Sequence, residues 1–503
     1  MANRLTGSFL LFALCGPLMA APFAYVPQPL SNRVSTFDLS TDTNRSETAR
    51  KANQQPKIIE LPTQANPVAA TPNLSGTFVY VVNKDSNSIT IINSSNNTVT
   101  GTVSVGNKPI AAAVSRDDKK LYVAHEGDNS LHILDTSNLK PLKTVQLNHR
   151  PTQLLISEGG WLYVMSTQGK TVQAFDSSTD TLLFTLNTDV LDEGAKKSAG
   201  APLAITSGAE ETLYVGAEDG DIYVWDISDP NKIAPQPRIQ LKEKPFGTKR
   251  TIKAIDSYKT ALYAALHDGD ILLIGTSTPG ADYQTTVSTN TTPTGLNISN
   301  DLRTLVVTND KNNNLALIAT ADNSISYVDV GAASTATGKF ISAPSFQMAL
   351  AKHSQDEEQN TYTWNVIKLQ VKRIGNISGS SATVHYQTES GTAFTKWDFL
   401  ESTGDLEFLP GEETKEVTIQ IIGDTTVEDY ESFYLKLNNP GDGYNIGPQG
   451  NTEITLVNDD SLPTGAGCAI GSNDKLDPTL PMLAGAALAW LTLRQRRNTL
   501  RRR

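Results

Sequence analysis

The chain has 503 residues, and its 42 basic and 53 acidic side chains give a formal net charge of −11. This acidic balance excludes a general nucleic-acid binder, because neutralising phosphates requires a basic face. Two cysteines, Cys15 and Cys468, are too few for a disulfide framework, a multi-cysteine zinc site or a cysteine-ligated iron–sulfur cluster.

The first twenty residues have the pattern of a secretory signal peptide. Arg4 provides a positive start, Phe9–Leu14 is the apolar centre, and Leu18-Met19-Ala20 resembles a small-residue cleavage site, with cleavage predicted after Ala20. Cys15 leaves a lipoprotein signal open as an alternative, although a leucine stands before it where a small residue is expected. An uncleaved anchor is a second alternative, but the apolar run is short for a bilayer span. The sequence therefore predicts an exported protein.

A short apolar strand that contains tyrosine recurs through the middle of the chain. Counted from one tyrosine to the next, with a valine in the last copy, the spacings are 55, 42, 41, 51, 49 and 43 residues. A polar turn, a second strand that ends in Asp and a third strand follow most copies. The seven copies are centred on Tyr25, Tyr80, Tyr122, Tyr163, Tyr214, Tyr263 and Val306.

Three or four short strands in a unit of about 42 residues are typical of a propeller blade. The repeat resembles the YVTN-type β-propeller family, most closely at Tyr80–Asn83. We therefore predict an all-β fold that begins with a seven-bladed propeller over residues 21–343. Because the blade of Phe23–Val26 lacks an innermost strand, we expect a segment near Gly338–Ala343 to complete it.

Two insertions, Asp189–Ser198 and Pro230–Lys249, lengthen individual blades. Long loops on one face of a propeller often carry binding, although loops that are merely tolerated explain them equally well. We expect a binding face whose ligand is a protein or a carbohydrate of a surface.

A second module, predicted over residues 344–460, consists of short alternating strands separated by turn signals. This pattern predicts an immunoglobulin-like β-sandwich of about 115 residues. The order of its pieces resembles a Calx-β domain. The matching pieces include Val371–Arg373, Trp397–Phe399, Phe408–Glu412, Glu428–Phe433 and Asn458–Asp460.

The Calx-β resemblance implies a Ca²⁺ site at one end of the sandwich. Ca²⁺ takes six to eight hard oxygen ligands, which carboxylates on converging loops can provide. Gly423 stands where that family often has a first Asp, and the family's early Glu has no clear counterpart apart from the nearby Glu357 and Glu358. Solvated turn acids are the alternative explanation. The matched positions are Asp398, Asp424, Glu428, Glu431, Asp459 and Asp460.

Residues 461–503 resemble bacterial C-terminal sorting signals of the JDVT-CTERM kind. Cys468 and a Leu-Asp-Pro-Thr step precede the apolar stretch Leu480–Leu493, and six arginines follow that stretch. The resemblance implies an inner-membrane intermediate, cleavage by an intramembrane sorting protease, and display at the cell surface or outer membrane. We expect the mature chain to end near Cys468, with an anchor there. A plain C-terminal membrane anchor is the alternative, and its arginines would face the cytoplasm.

No familiar catalytic motif occurs in the sequence. It lacks a Gly-x-Ser-x-Gly elbow, a His-Glu-x-x-His pair and a phosphate-binding loop. The six histidines are scattered, although His125 and His132 lie on successive strands of one blade, where a packing role is favoured. The Asp-Gly-Asp sequences at 219–221 and 268–270 fit hairpin turns better than cation sites.

These features predict a non-enzymatic protein. We expect an exported, surface-anchored, calcium-binding protein that acts in adhesion or ligand binding through a face of its propeller. Propellers also support catalysis, so the fold alone cannot exclude an enzyme. The alternative is a lactonase-like hydrolase or a quinone-dependent oxidoreductase that carries a Ca²⁺-binding accessory module.

Overall fold

The computed structural model describes residues 22–39, 56–188, 200–208, 211–241, 250–258, 261–275, 284–356, 364–375, 381–423, 427, 429–441 and 443–458. The predicted signal peptide up to Ala20, the insertion Asp189–Ser198, and the tail with Cys468 and Leu480–Leu493 lie outside these ranges. No helix within the described ranges is long and apolar enough to cross a membrane.

Within the described ranges, the chain up to Ser342 forms 28 strands and a short 3₁₀ turn at Pro29–Ser31. The strands are β1 (Phe23–Gln28), β2 (Arg33–Asp38), β3 (Lys57–Glu60), β4 (Pro67–Pro72), β5 (Phe78–Asn83), β6 (Ser88–Asn93), β7 (Thr98–Ser104), β8 (Pro109–Val114), β9 (Lys120–His125), β10 (Ser130–Asp135), β11 (Pro141–Gln146), β12 (Gln153–Ile156), β13 (Trp161–Ser166), β14 (Thr171–Asp176), β15 (Thr181–Asn187), β16 (Pro202–Gly208), β17 (Thr212–Ala217), β18 (Asp221–Asp226), β19 (Ala234–Gln240), β20 (Ile252–Tyr258), β21 (Ala261–Leu266), β22 (Asp270–Gly275), β23 (Gln284–Ser288), β24 (Pro293–Ile298), β25 (Thr304–Asn309), β26 (Asn314–Ala319), β27 (Ile325–Asp329) and β28 (Ile341–Ser342).

These strands form seven four-stranded antiparallel blades in the described part of the chain. From the axis outward, blade 1 contains β28, β1, β2 and β3, and blades 2 to 7 contain β4–β7, β8–β11, β12–β15, β16–β19, β20–β23 and β24–β27. Every repeated tyrosine-type strand is second from the axis, and Val306 of β25 occupies the same place. The predicted seven-bladed propeller is therefore confirmed.

Blade 1 closes the ring by joining the two ends of the propeller. β28 pairs with β1 so that Ser342 lies opposite Phe23 and Ile341 lies opposite Ala24. The expected completion of this blade by a segment near Gly338–Ala343 is confirmed. The pairing gives blade 1 its innermost strand, so that β1 does not remain an open edge.

The tyrosine repeat has a packing reason. Tyr122 is buried between blades, and its hydroxyl donates to Ser177 O at 3.0 Å and lies 3.0 Å from Asp180 Oδ1, both in the β14–β15 turn of the next blade. Tyr25 makes the equivalent contact with Asn97 in the β6–β7 turn. In these two copies the ring fills the space between two blades while the hydroxyl ties one blade to its neighbour.

The remaining strands form the predicted two-sheet sandwich. One sheet has the order β34-β31-β29-β36, and the other has the order β30-β37-β35-β32-β33. Phe399 and Phe433 stack in the core with ring centres 3.9 Å apart. The strands are β29 (Ser345–Met348), β30 (Lys352–Asp356), β31 (Trp364–Ile374), β32 (Ala382–Ser390), β33 (Thr403–Phe408), β34 (Thr414–Ile422), β35 (Glu431–Asn438), β36 (Asn445–Ile446) and β37 (Asn451–Val457).

The sandwich is attached directly to the propeller. Only two residues separate β28 from β29, and Ser345 Oγ donates to Ser75 O at 2.8 Å. Gly76 has a φ of +71°, and a Cβ built on it would lie 1.9 Å from Ala343 O. A side chain at this position is therefore excluded by both backbone conformation and space.

We predict that Gly76→Ala destabilises the protein much more than Gly411→Ala. Both glycines have left-handed φ values, but nothing lies within 4 Å of a Cβ built on Gly411. Gly411→Ala, the control, should therefore lower the free energy of unfolding only by the backbone strain, about 1–2 kcal/mol. Gly76→Ala adds a collision between the new methyl group and a carbonyl oxygen. Denaturant unfolding of the two variants measures the difference. Equal losses would show that the junction tolerates the methyl group.

Candidate functional site

A cavity of about 390 Å³ lies on the propeller axis where the inner strands end. Its walls come from the last residues of these strands and from the turns after them. β36 of the sandwich contributes Asn445 and Ile446, and the Asn300 amide donates to Asn445 Oδ1 at 2.5 Å. We call this cavity the axial chamber. Its polar lining includes Thr71, Arg116, Gln153, Glu158, Thr206, Asp256, Tyr258, Asn297, Asn300, Lys339 and Asn445.

Several of these side chains satisfy backbone groups on the inner strand of the next blade. Thr71 donates to Ala112 O at 3.0 Å, and Asn297 Oδ1 accepts from Phe340 N at 2.6 Å. Gln153 is the corresponding residue between blades 4 and 5. An innermost strand has one edge without a partner strand, and a buried backbone group without a hydrogen bond is costly. The chamber is polar because its wall residues form hydrogen bonds with these backbone groups.

Asp256 is the most deeply buried charge in the chamber lining, with 1% of its surface exposed. Its carboxylate accepts hydrogen bonds from Ile298 N and Ser257 N, each at 2.9 Å, and from the Lys339 ammonium group. Removing one partner of such a pair leaves a buried charge uncompensated. Through these hydrogen bonds Asp256 holds the chamber wall together. The Lys339 side chain, in contrast, remains 47% exposed.

The chamber lining carries equal numbers of charges of each sign. Arg116 and Lys339 are the basic residues, and Glu158 and Asp256 are the acidic ones. A site for a phosphorylated or otherwise anionic ligand would need an excess of positive charge. The balance instead suits a neutral ligand with hydroxyl and carbonyl groups.

A second carboxylate stands beside Glu158 at the rim of the chamber. Gly159 leaves room for it, because a Cβ there would lie 2.7 Å from Glu211 Oε1. Burial raises the pKa of Glu211, and the Glu158 charge raises it further, while Arg116 opposes the shift. Burial also raises the pKa of Tyr258, with Glu158 again contributing. A carboxyl group with a raised pKa next to a second carboxyl group can exchange a proton with a bound molecule.

The predicted Ca²⁺ ligands that the structure describes lie at the end of the sandwich away from the propeller, where β34 and β37 finish. Asp398 is 2% exposed, its Oδ2 accepts from Phe394 N at 2.7 Å, and its carbonyl accepts from Ile422 N at 2.9 Å. Glu431 begins β35 and is paired with Leu456. The Phe399–Phe433 stack beneath them fixes both chain segments.

The other predicted ligands cannot be located in the same way. Asp424, Glu428, Asp459 and Asp460 lie outside the described residues, as do Glu357 and Glu358. Among the residues that the structure describes, no group of three or more His, Cys, Asp or Glu side chains is arranged to hold a metal ion.

The Asp-Gly-Asp sequences occupy hairpin turns, as their spacing suggested. Gly220 and Gly269 both have φ of +90° between paired strands. Asp221 accepts from Arg238 at 3.1 Å, and Asp270 is paired with Arg250. Arginine therefore already engages one carboxylate of each turn.

The structure brings together two histidines that sequence reasoning treated as packing residues. The rings of His125 and His132 have centres 4.2 Å apart on one face of blade 3. His125 is fully buried, and burial, with a smaller effect of His132, lowers its pKa from 6.5 to about 4. The sequence indicated this contact by placing the two histidines on neighbouring strands, because residues that lie diagonally across two paired strands bring their side chains together.

Comparison with known proteins identifies the second module. Residues 343–460 match the family model described as Calx-beta domain. The sandwich is a Calx-β domain. The sodium/calcium exchanger Calx of Drosophila melanogaster is 34% identical over 93 residues, which are 18% of this chain and 10% of the exchanger. A solved apo-form Calx CBD1 domain is 27% identical, with a TM-score of 0.22, and the match covers 24% of this chain and 99% of that one.

The propeller has a family match of its own. Residues 18–137 match the model described as Lactonase, 7-bladed beta-propeller. A functionally unknown protein from Desulfotomaculum acetoxidans is 14% identical, with a TM-score of 0.50, and the match covers 63% of this chain and all of that one. This second likeness shows the fold alone.

The lactonase match corrects the sequence prediction that the protein is not an enzyme. That prediction rested on the absence of familiar catalytic motifs, and the match over residues 18–137 contradicts it. Propeller active sites assemble from turns of different blades, so that their residues have no fixed spacing along the chain. The prediction of a non-enzymatic protein is therefore withdrawn.

We predict that His125 makes blade 3 sensitive to acid. A histidine whose folded pKa is about 4 stays neutral in the folded state, whereas the unfolded state takes up a proton below pH 6.5. The stability it contributes above pH 6.5 is therefore lost as the pH falls towards 4, by up to about 3 kcal/mol.

Unfolding of the wild type and of His125→Asn between pH 7.5 and 4 measures this loss. The variant gives blade 3 the residue that blade 2 has at the equivalent place, Asn83. It should lose less stability than the wild type, whereas His267→Asn, a change at an exposed turn position, should leave the wild-type pH dependence intact. Parallel pH curves for all three proteins would contradict the assignment.

Proposed function

We propose that this is an exported, surface-anchored protein that binds Ca²⁺ through its Calx-β domain and a small neutral polar ligand in the axial chamber. The observation that carries the proposal is the chamber itself. Its volume of about 390 Å³ is in the range of small-molecule sites. Its wall combines amides, hydroxyls and aliphatic side chains with balanced charge, a composition that suits a sugar-like molecule, free or at the end of a surface glycan.

Calcium binding is supported by the position of Asp398. A carboxylate that is 2% exposed is expensive to bury unless strong partners offset the loss of water. Glu431 begins a strand at the same end of the domain. The match to the Calx-β model and to an exchanger named for calcium supports the same ion. In this proposal Asp424, Glu428, Asp459 and Asp460 supply the remaining oxygens.

The calcium assignment predicts a Ca²⁺-dependent stability of the Calx-β domain. An ion that binds only the folded state raises the unfolding temperature by mass action. Paired substitutions Asp459→Ala and Asp460→Ala should abolish the shift, because they remove two ligands. Glu407→Ala, at an exposed position on β33, should keep it. Calorimetric unfolding with and without millimolar Ca²⁺ checks this, and an unchanged transition in the wild type would reject the site.

A second candidate function is hydrolysis of a cyclic ester. The lactonase match favours it, and so does the neighbouring pair Glu158 and Glu211, of which Glu211 has a raised pKa. A protonated carboxylic acid can donate a proton to the leaving oxygen, and an ionised partner can take one from the attacking water. A sugar lactone is neutral and polar, so it satisfies the same chamber chemistry.

One experiment separates the two functions. Neutral sugars and their lactones are added to the full chain, binding is measured by calorimetry, and ring opening is followed by NMR. Neutralising the wall pair with Asp256→Asn and Lys339→Gln together should weaken binding about tenfold, or about 1.4 kcal/mol, while keeping the acceptor for Ile298 N.

The rim carboxylates decide whether binding is followed by reaction. Glu211→Gln should slow ring opening by about 100-fold or more without loss of binding if the protein is a hydrolase. Glu407→Gln is the matched control outside the chamber. Binding without ring opening supports the binding protein alone, and the absence of any binding would reject both candidates.

A further inference from the structure

The His125–His132 pair lies at the opposite end of blade 3 from the axial chamber. Ser115, which lines the chamber, donates its N–H to Lys120 O at the start of β9, and His125 is the last residue of that strand. β10 brings His132 onto the same face, because Ser130 is paired with His125 and Val123 is paired with His132. The histidine pair is therefore separate from the proposed ligand site.

His125 is an unusual core residue. It is 0% exposed, and neither ring nitrogen makes a hydrogen bond of normal geometry among the residues that the structure describes; the Asp128 charge and the Ser130 backbone act on its pKa more weakly than burial does. A buried polar group left unsatisfied is destabilising. Hydrophobic packing would be served better by an aliphatic side chain. The presence of an imidazole here is therefore better explained by a function of its ring nitrogens.

Blade 2 has a different set of polar residues at the same position. Asn83 ends β5 as His125 ends β9, and its amide donates to Ser88 Oγ at 3.2 Å and Thr90 Oγ1 at 2.8 Å. Ser130 and His132 stand in blade 3 where Ser88 and Thr90 stand in blade 2. A hydrogen-bonded set of three polar residues, in which the Asn83 amide nitrogen has two partners and its Oδ1 has none, is thus replaced by two imidazoles and a serine.

The two rings pack against Gly106 in the β7–β8 connection. A Cβ built on Gly106 would lie 2.8 Å from His132 Cε1 and 3.0 Å from His125 Nε2. A side chain here would collide with both rings, so the glycine is what allows them to lie together. One metal ion with two tetrahedral imidazole ligands holds the ring centres about 5 Å apart. The observed separation of the ring centres is 4.2 Å, and a small movement of one side chain is enough to reach the metal-bound separation.

We propose that His125 and His132 bind a divalent transition-metal ion of the zinc and copper kind on this face of the propeller. Neutral imidazole is a preferred ligand of these ions, and binding gives the buried ring the partner that it lacks. No third His, Cys, Asp or Glu joins the pair among the described residues, so water completes the coordination. The site selects nitrogen-seeking ions and leaves Ca²⁺ to the oxygens of the Calx-β domain.

The test uses the full chain with Ca²⁺ present in excess, so that oxygen sites are occupied before Zn²⁺ is added. Unfolding is followed as Zn²⁺ is titrated, and Cu²⁺ is added in a parallel sample for electron paramagnetic resonance. The expected results are an unfolding temperature that rises with Zn²⁺ and a Cu²⁺ spectrum with coupling to two imidazole nitrogens.

The matched variant is the pair His125→Asn and His132→Thr, which rebuilds the blade 2 network and should therefore fold. It should lose both the Zn²⁺ shift and the Cu²⁺ nitrogen coupling. His267→Asn, which removes a histidine from an exposed position after β21, should retain both. An unaltered Zn²⁺ shift in the double variant would place the metal elsewhere and overturn the proposal, as would the absence of any shift in the wild type.

Discussion

The constraint on which the propeller depends is the inner edge of each blade. Seven inner strands surround the axis, and each has one side on which no further strand can pair. Their backbone N–H and C=O groups must still be satisfied in a region that is largely buried. Thr71, Gln153, Asp256 and Asn297 do this by reaching across to the next blade. A polar chamber on the axis is thus a consequence of how the ring is held together.

The same constraint explains why one short segment connects structure and function. Residues 338–345 supply Lys339 to the chamber wall, pair β28 with β1, and then begin the Calx-β domain at β29. Closure of the ring, neutralisation of Asp256 and attachment of the second domain therefore involve a single stretch of chain. Gly76 lies against this stretch, where the space for a side chain is already taken by the Ala343 carbonyl.

The sequence was sufficient for the fold because packing repeats with a fixed pattern. Tyr122 and its counterparts occupy the same place between successive blades, so their recurrence gives the blade number even where the outer strands vary. In the Calx-β domain, strict alternation in β34 fixes which residues enter the core. The end at which Asp398 and Glu431 emerge then follows from the order of the strands.

The chamber could not be predicted in this way. Its wall residues occupy one level of the inner strands but differ from blade to blade, as Thr206, Asp256 and Asn297 do, so that no motif marks them. Lys339 reaches Asp256 from 83 residues away in the sequence. The expectation of a protein without catalytic function failed for a related reason, since it rested on motifs that are contiguous in sequence, whereas a propeller assembles its sites from separate turns.

Two of the three proposed binding sites, the Ca²⁺ site and the axial chamber, lie at opposite ends of the Calx-β domain. Asn445 and Ile446 border the axial chamber at one end, and Asp398 and Glu431 lie at the other, where β34 and β37 finish. Coupling between two such sites requires a structural element that can adopt two arrangements, and each ligand must shift the equilibrium between them. The sandwich between them is instead a close-packed core centred on the Phe399–Phe433 stack, which resists graded deformation. In the proposed arrangement, bound Ca²⁺ would stabilise the domain that borders the chamber, and the propeller walls alone would set which ligand the chamber takes.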